Sequence, residues 1–196
     1  EAMKKKGIYD DTIIIFTSDH GDYLGDFGMI GKKEFYEPAV HIPLIVSHPD
    51  KRERKTVSSI VSLTDLFSTI LSMAGLPYDE NNGDSIVLPE FNDKDKAREY
   101  LFAPSLAGFM VAKGPYKYCR YYNGVNVLFD IEKDPREQTN LIDDPSYRDV
   151  VKELDQIMIE EIFRSILAAN EDKVVNRGGI SGEGPFGERG WKRTYP

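Results

Sequence analysis

Asp19 and His20 stand side by side in this chain, and two lysines, Lys32 and Lys33, follow in a loop that carries Gly28 and Gly31. A hard divalent cation needs carboxylate oxygen and a borderline one accepts imidazole, so adjacent Asp and His offer ligands for either kind. A lysine ammonium brought to the same place can hold an anionic group beside the metal. Taken alone, the Asp-His pair is equally compatible with an Asp that caps the following helix and a His that packs.

The elements that must position these residues are legible on either side. Residues 12–16 form an uninterrupted apolar, β-branched run, which reads as a fully covered strand of a parallel sheet. Ligands of open α/β sheets bind outside the carboxyl ends of such strands, so residues 17–22 (TSDHGD) lie where chemistry is expected. Gly21 would let the backbone turn sharply away from the strand end. The glycine-flanked lysine loop can fold back over it, and Tyr36-Glu37-Pro38 then leads into a second apolar strand at 42–46.

The series TSDHGD (17–22), LGD (24–26), GK (31–32), FYE (35–37) and HIPLIV (41–46) resembles the sulfatase family of the alkaline phosphatase superfamily. That family includes arylsulfatases, glycan sulfatases and phosphonate monoester hydrolases. A second block in the right order, LFDIEKDPREQTNL at 128–141, resembles the family's C-terminal motif. The resemblance implies an α/β fold: the C-terminal part of a large mixed-sheet α/β sandwich of the alkaline phosphatase type, plus a small antiparallel sheet with a packed helix. It implies three parts, residues 1–97 in the catalytic α/β domain, 98–170 as a small α+β subdomain and 171–196 as a glycine-rich tail or docking arm.

By the same resemblance Asp19 and His20 are ligands of the single active-site metal, Ca2+ in most members, with Mn2+ or Zn2+ expected for a phosphonate or phosphodiester hydrolase. Lys32 is the catalytic and substrate-binding lysine that contacts the transferred sulfuryl or phosphoryl oxygens, and Lys33 is a solvated rim charge. A metal and a lysine flanking one oxyanion suit ester cleavage, because charge on those oxygens must be held through the transition state. Phe27 stands where many members carry a His, so that residue's role does not transfer.

The family's nucleophile, a Cys or Ser in C-x-P/A-x-R oxidised to formylglycine, has no counterpart. Cys119 is the single cysteine, is followed by Arg120-Tyr121-Tyr122-Asn123, and reads as a structural thiol. The opening residues look like the last turns of a helix stopped by Gly7, which suggests a C-terminal portion of a longer polypeptide. The expected function is hydrolysis of a small-molecule or glycan sulfate ester, with this chain alone inactive and poorly stable. The alternatives are phosphonate monoester or phosphodiester hydrolysis on the same fold, or a non-catalytic binding module.

Composition bounds the rest. A formal charge of −8 over 196 residues, with no basic stripe, argues against nucleic-acid binding, and one cysteine excludes an internal disulfide framework. No transmembrane run or signal peptide is present, and periplasmic, secreted and cytoplasmic placements all stay open. Apolar spacing predicts a helix over 57–73, closed by Gly75 and Pro77, with Asp65 as a cap or as support for the site. A polar connection at 78–97 precedes strand-like runs at 100–102, 109–112, 116–122 and 125–129, the last two joined by an Asn123-Gly124 turn. Residues 145–169 read as a long helix packed on that sheet. His41 reads as a packed or hydrogen-bonded histidine and His48 as exposed. The tail offers Phe186 and Trp191 for docking, a route to a homo-oligomer, and Arg177 or Arg189 for substrate contact.

Overall fold

The computed structural model describes residues 1–51, 53–78, 85–91, 97–171, 174–176 and 179–181. The proposed tail contacts Phe186, Trp191, Arg177 and Arg189 lie outside them. A short helix, α1 (Ala2–Lys5), precedes β1 (Ile14–Thr17), and a loop then leads through α2 (Glu37–Val40) to β2 (Leu44–Ser47). β1 and β2 pair with each other antiparallel, Ile15 opposite Val46 and Phe16 opposite Ile45. This corrects the parallel reading of the first strand: an apolar run reports burial, while direction is set by how the chain returns. A sheet of two strands cannot cover both of its faces, and Phe16 and Ile45 are accordingly 60% and 61% exposed.

Helix α3 (Asp65–Met73) is shorter than the apolar spacing predicts. Thr64 stands at its N-cap, and Asp65, its first residue, accepts the Ser62 N–H at 2.8 Å, which ties the preceding turn to the helix start. Gly75, at φ +67, ends it, with the Leu76 N–H returning to the Leu71 carbonyl and the Gly75 N–H to that of Ser72. Its buried residues are polar: Asp65, Ser68 and Thr69 receive residues 85–88, while Phe67 and Ile70 of the expected apolar stripe stay exposed. Asp65 accepts the Ile86 N–H at 3.0 Å and pairs with Arg98 at 2.5 Å, and Thr69 accepts the Leu88 N–H at 3.0 Å. Asp65 therefore joins α3, the Ser85–Leu88 stretch and Arg98, with no contact to Asp19 or His20.

The best-built part is the antiparallel meander β3 (Leu101–Pro104), β4 (Gly108–Lys113), β5 (Tyr116–Tyr121) and β6 (Asn126–Asp130), in that spatial order. Side chains alternate between its faces with the period of two that a strand dictates. Val111, Tyr118 and Leu128 point to one face and pack on Leu154 and Met158 of α4 (Arg148–Glu171). Met110, Cys119, Val127 and Phe129 point to the other and pack on Phe35, with Tyr36 and Val40 beside them. Between β5 and β6 the turn is closed by the Gly124 N–H on the Tyr121 carbonyl, and only Gly124, at φ +84, takes the left-handed region.

The LFDIEKDPREQTNL block finishes this sheet. Asn140 Oδ1 accepts the Leu128 N–H at 3.0 Å, and the Leu141 N–H returns to the Leu128 carbonyl at 2.8 Å. The edge of β6 is thereby covered and cannot template another strand. Asp130 holds Lys133 at 2.7 Å, and Asp134 accepts the Thr139 N–H at 2.7 Å. A small hairpin, β7 (Val174–Asn176) with β8 (Gly179–Ser181), follows α4.

Candidate functional site

The end of β1 delivers Ser18, Asp19 and His20 in a compact local network. The Ser18 hydroxyl donates to the His20 carbonyl at 2.8 Å, and the His20 N–H donates to Asp19 Oδ1 at 3.0 Å. His20 Nδ1 lies 2.6 Å from the Gly21 carbonyl. A carbonyl only accepts, so Nδ1 carries the proton and Nε2 presents a lone pair, the tautomer that a metal-binding histidine needs. Asp19 is 80% exposed, and its Oδ2 lies 3.2 Å from that Nε2.

The lysine loop does fold back. Lys32 Nζ is in contact with His20 Nε2, across a separation of 12 residues. Asp22 organises this return, accepting the Leu24 N–H at 2.9 Å and the Gly31 N–H at 3.3 Å, while the Tyr23 N–H donates to the Gly31 carbonyl at 2.9 Å. Asp22 was not singled out by its sequence; its place between a metal-type pair and a glycine loop is the signal that finds it. Phe27, at φ +56, stacks on Tyr36 with ring centroids 4.2 Å apart, and this fastens the loop tip to the segment entering α2. Lys33 is exposed.

Gly21 has a different task from the turn expected of it. Its φ is not positive, but a Cβ there would lie 1.9 Å from the Pro38 carbonyl oxygen, and its N–H donates to the Ala39 carbonyl at 2.8 Å. The glycine is needed for close approach of α2 to the strand end. Gly21→Ala is therefore expected to cost about 1–3 kcal/mol as backbone is forced from backbone. Thermal unfolding measures this, and a melting temperature equal to that of the parent would count against the contact.

α2 is itself held by a buried ionic cluster that the sequence pattern does not advertise. Lys117 of β5, 2% exposed, pairs with Glu37 at 2.7 Å and with Glu137 at 2.6 Å. The Glu37 N–H donates to Glu137 Oε2 at 2.7 Å, and Glu37 Oε2 meets His41 Nδ1 at 2.7 Å. Burial pushes the Glu37 carboxyl up, but Lys117 and then His41 outweigh it and hold the group below its ordinary range. At Glu137 burial prevails over Lys117, and that carboxyl is raised.

His41 is thus a hydrogen-bonded histidine. His48 is not fully exposed as expected: its ring packs against Phe91 with centroids 5.7 Å apart. Cys119 is 1% exposed within the sheet core, and burial pushes its thiol up to about 12, so it is a packed thiol and no nucleophile. A cleft of about 1000 Å3 is bounded by Phe27, Pro38, His41, Arg136 and Gln138, among others; Asp19, His20 and Lys32 do not line it. Among the described residues no three His, Cys, Asp or Glu side chains converge as a metal-holding group.

The family model for N-sulphoglucosamine sulphohydrolase, C-terminal, matches residues 25–163, from just beyond His20 into α4. The chain belongs to the sulfatase family. Arylsulfatase K of Bos taurus is 31% identical over 173 residues, covering 79% of this chain and 32% of that protein. The choline-sulfatase of Rhizobium meliloti is 31% identical over 157 residues, covering 74% of this chain and 30% of its own. Among solved structures, the 2-O GAG sulfatase BT1596 superposes with a TM-score of 0.71 at 28% identity, covering 80% of this chain and 37% of that one. The phosphonate monoester hydrolase of Agrobacterium radiobacter gives a TM-score of 0.66 at 26% identity, over 94% of this chain and 41% of that one. The sulfatase chain described here thus spans about a third of the length of the curated relatives it matches. Its α/β architecture is that of the alkaline phosphatase-like sulfatases.

Proposed function

We propose that this chain supplies the anion-binding half of a sulfate ester hydrolase active site. The observation that carries the reading is the contact between Lys32 Nζ and His20 Nε2, beside Asp19 Oδ2, at the carboxyl end of β1. The relatives and structural neighbours add a family in which sulfate esters are the common substrate.

The donor set fits a divalent cation. Asp19 Oδ2 and His20 Nε2 lie 3.2 Å apart, a carboxylate oxygen and an imidazole nitrogen near enough to serve one ion. Asp19 and His20 would hold that ion, with Ca2+ first because the carboxylate is the stronger hard donor. Such a cation would supply Lewis-acid polarisation of a sulfuryl oxygen. Lys32 donates to the oxygens of the same group and holds their charge as the ester bond breaks. The His20 Nδ1–H on the Gly21 carbonyl leaves the one Nε2 lone pair to accept from Lys32 here or to take the ion once Lys32 turns to the substrate oxygens, and Asp22 keeps the Lys32 loop closed over the strand end. In this reading residues 1–97 belong to the catalytic α/β domain, 98–170 to a small α+β subdomain and 171–196 to a C-terminal tail or docking arm.

Phosphonate monoester hydrolysis is the second reading, supported by the phosphonate monoester hydrolase match extending over 94% of the chain. Assay of the complete polypeptide with an aryl sulfate, sugar sulfates and a phosphonate monoester tests both. A kcat/KM for one of the sulfates at least about tenfold above that for the phosphonate is expected, since tenfold corresponds to 1.4 kcal/mol of preferential transition-state binding. The reverse order would transfer the assignment to phosphorus, and no turnover of any ester would remove it.

A further inference from the structure

We infer that Glu137 and Lys117 are positioning residues for the site, acting through α2 on both Lys32 and the Asp19–His20 strand end. The inference rests on the reading of Lys32 as the anion-binding lysine. Helix α2 is the joint between two bodies. On one side its first residue, Glu37, is bound by its backbone N–H to Glu137 and by its carboxylate to Lys117. On the other side the Ala39 carbonyl receives the Gly21 N–H, and the Pro38 carbonyl sits where a Gly21 Cβ would be. Gly21 directly follows His20, and Lys32 lies on the segment that runs into α2, so both halves of the site hang from this joint.

The anchor itself is firm. Lys117 sits on β5, a central strand of a sheet with α4 on one face and Phe35 on the other. The Phe35 N–H also donates to the Tyr121 hydroxyl of the same strand at 3.3 Å. Glu137 holds a left-handed backbone at φ +54, a conformation that a non-glycine residue keeps only when its surroundings over-determine it. Stability alone would be served as well by apolar side chains in the place of a buried Glu–Lys–Glu cluster, because ions pay heavily for desolvation. What charges with directional bonds add is a single register of α2 on the sheet. Glu137 is thereby given a task of its own within the LFDIEKDPREQTNL block, distinct from the edge-covering role of Asn140.

The test is a double-mutant cycle in the complete polypeptide, read with an aryl sulfate and by hydrogen–deuterium exchange. Glu137→Ala is expected to lower kcat on the order of a hundredfold, the effect of misplacing a catalytic group by about 1 Å, and to speed exchange over residues 21–40 without speeding it in α4. Combined with Lys32→Ala it should cost less than its full factor, since the share that runs through Lys32 has nothing further to lose and only the share at Asp19–His20 remains. Should Glu137→Ala fail to fold, Glu137→Gln carries the test: its amide oxygen still accepts the Glu37 N–H but the charge that pairs with Lys117 is gone, so faster exchange over 21–40 and a fall in kcat smaller than that of Glu137→Ala are expected. Multiplicative losses in the cycle, or exchange over 21–40 unchanged in either variant, would overturn the inference. A parent protein that turns over no sulfate ester would instead sink the functional reading, while the exchange data still decide whether Glu137 holds this joint.

Discussion

Replacing Lys32 by Ala in the complete polypeptide is expected to lower kcat for a sulfate ester by about a hundredfold or more, the usual effect of removing one preorganised charge-stabilising donor. Lys33→Ala is expected to stay within a few fold. The two side chains are neighbours of equal charge and both are exposed, so a general field effect would make them alike; what separates them is the contact of Lys32 with His20 Nε2. The measurement is kcat and KM for both variants at saturating metal. Equal losses would mean that the loop acts through its net charge and that the assignment of Lys32 to the anion is mistaken.

The second large effect is expected at Asp19. Asp19→Ala should abolish most calcium binding and with it most turnover, because it deletes the charged ligand. His20→Ala should weaken calcium less, since calcium prefers oxygen. Asp19 is 80% exposed and its bonds are to Ser18 and the His20 backbone, so its loss should change folding stability by no more than about 0.5 kcal/mol. Calorimetric titration of both variants with calcium, alongside thermal unfolding, separates binding from folding. Undiminished calcium affinity in Asp19→Ala would sink the ligand assignment.

Much of this chain was legible before its coordinates. The Asp-His pair at the end of an apolar run, the returning lysine loop, the four-stranded sheet and the helix across it all follow from period, punctuation and motif. Each is a local property: alternation in β4 to β6 decides which residues share a face, and Gly75 and Gly124 stop a helix and close a turn. The packed state of Cys119 was equally readable from its place in an aromatic-rich strand run, and Lys117, Tyr118 and Cys119 are buried in succession because both faces of that strand are covered.

Other features were decided only in three dimensions. Residues 12–16 are apolar whether their neighbour runs parallel or antiparallel, and the pairing of Ile15 with Val46 comes from the path of the loop and α2 between them. The apolar spacing of 57–73 overstates α3 because the Ser62 N–H on Asp65 Oδ2 holds the chain in a turn before the helix, and its polar face is buried since Ser85 to Leu88 bring backbone donors to it. Gly21 looks like a turn glycine in sequence, whereas the Pro38 carbonyl defines it as a packing glycine. The Lys117, Glu37 and Glu137 cluster joins residues separated by 80 and 100 positions. Sequence sets the type of each group and the local geometry around it. Which distant charges meet depends on how the two faces of the sheet are covered, and that is a property of the packed chain alone.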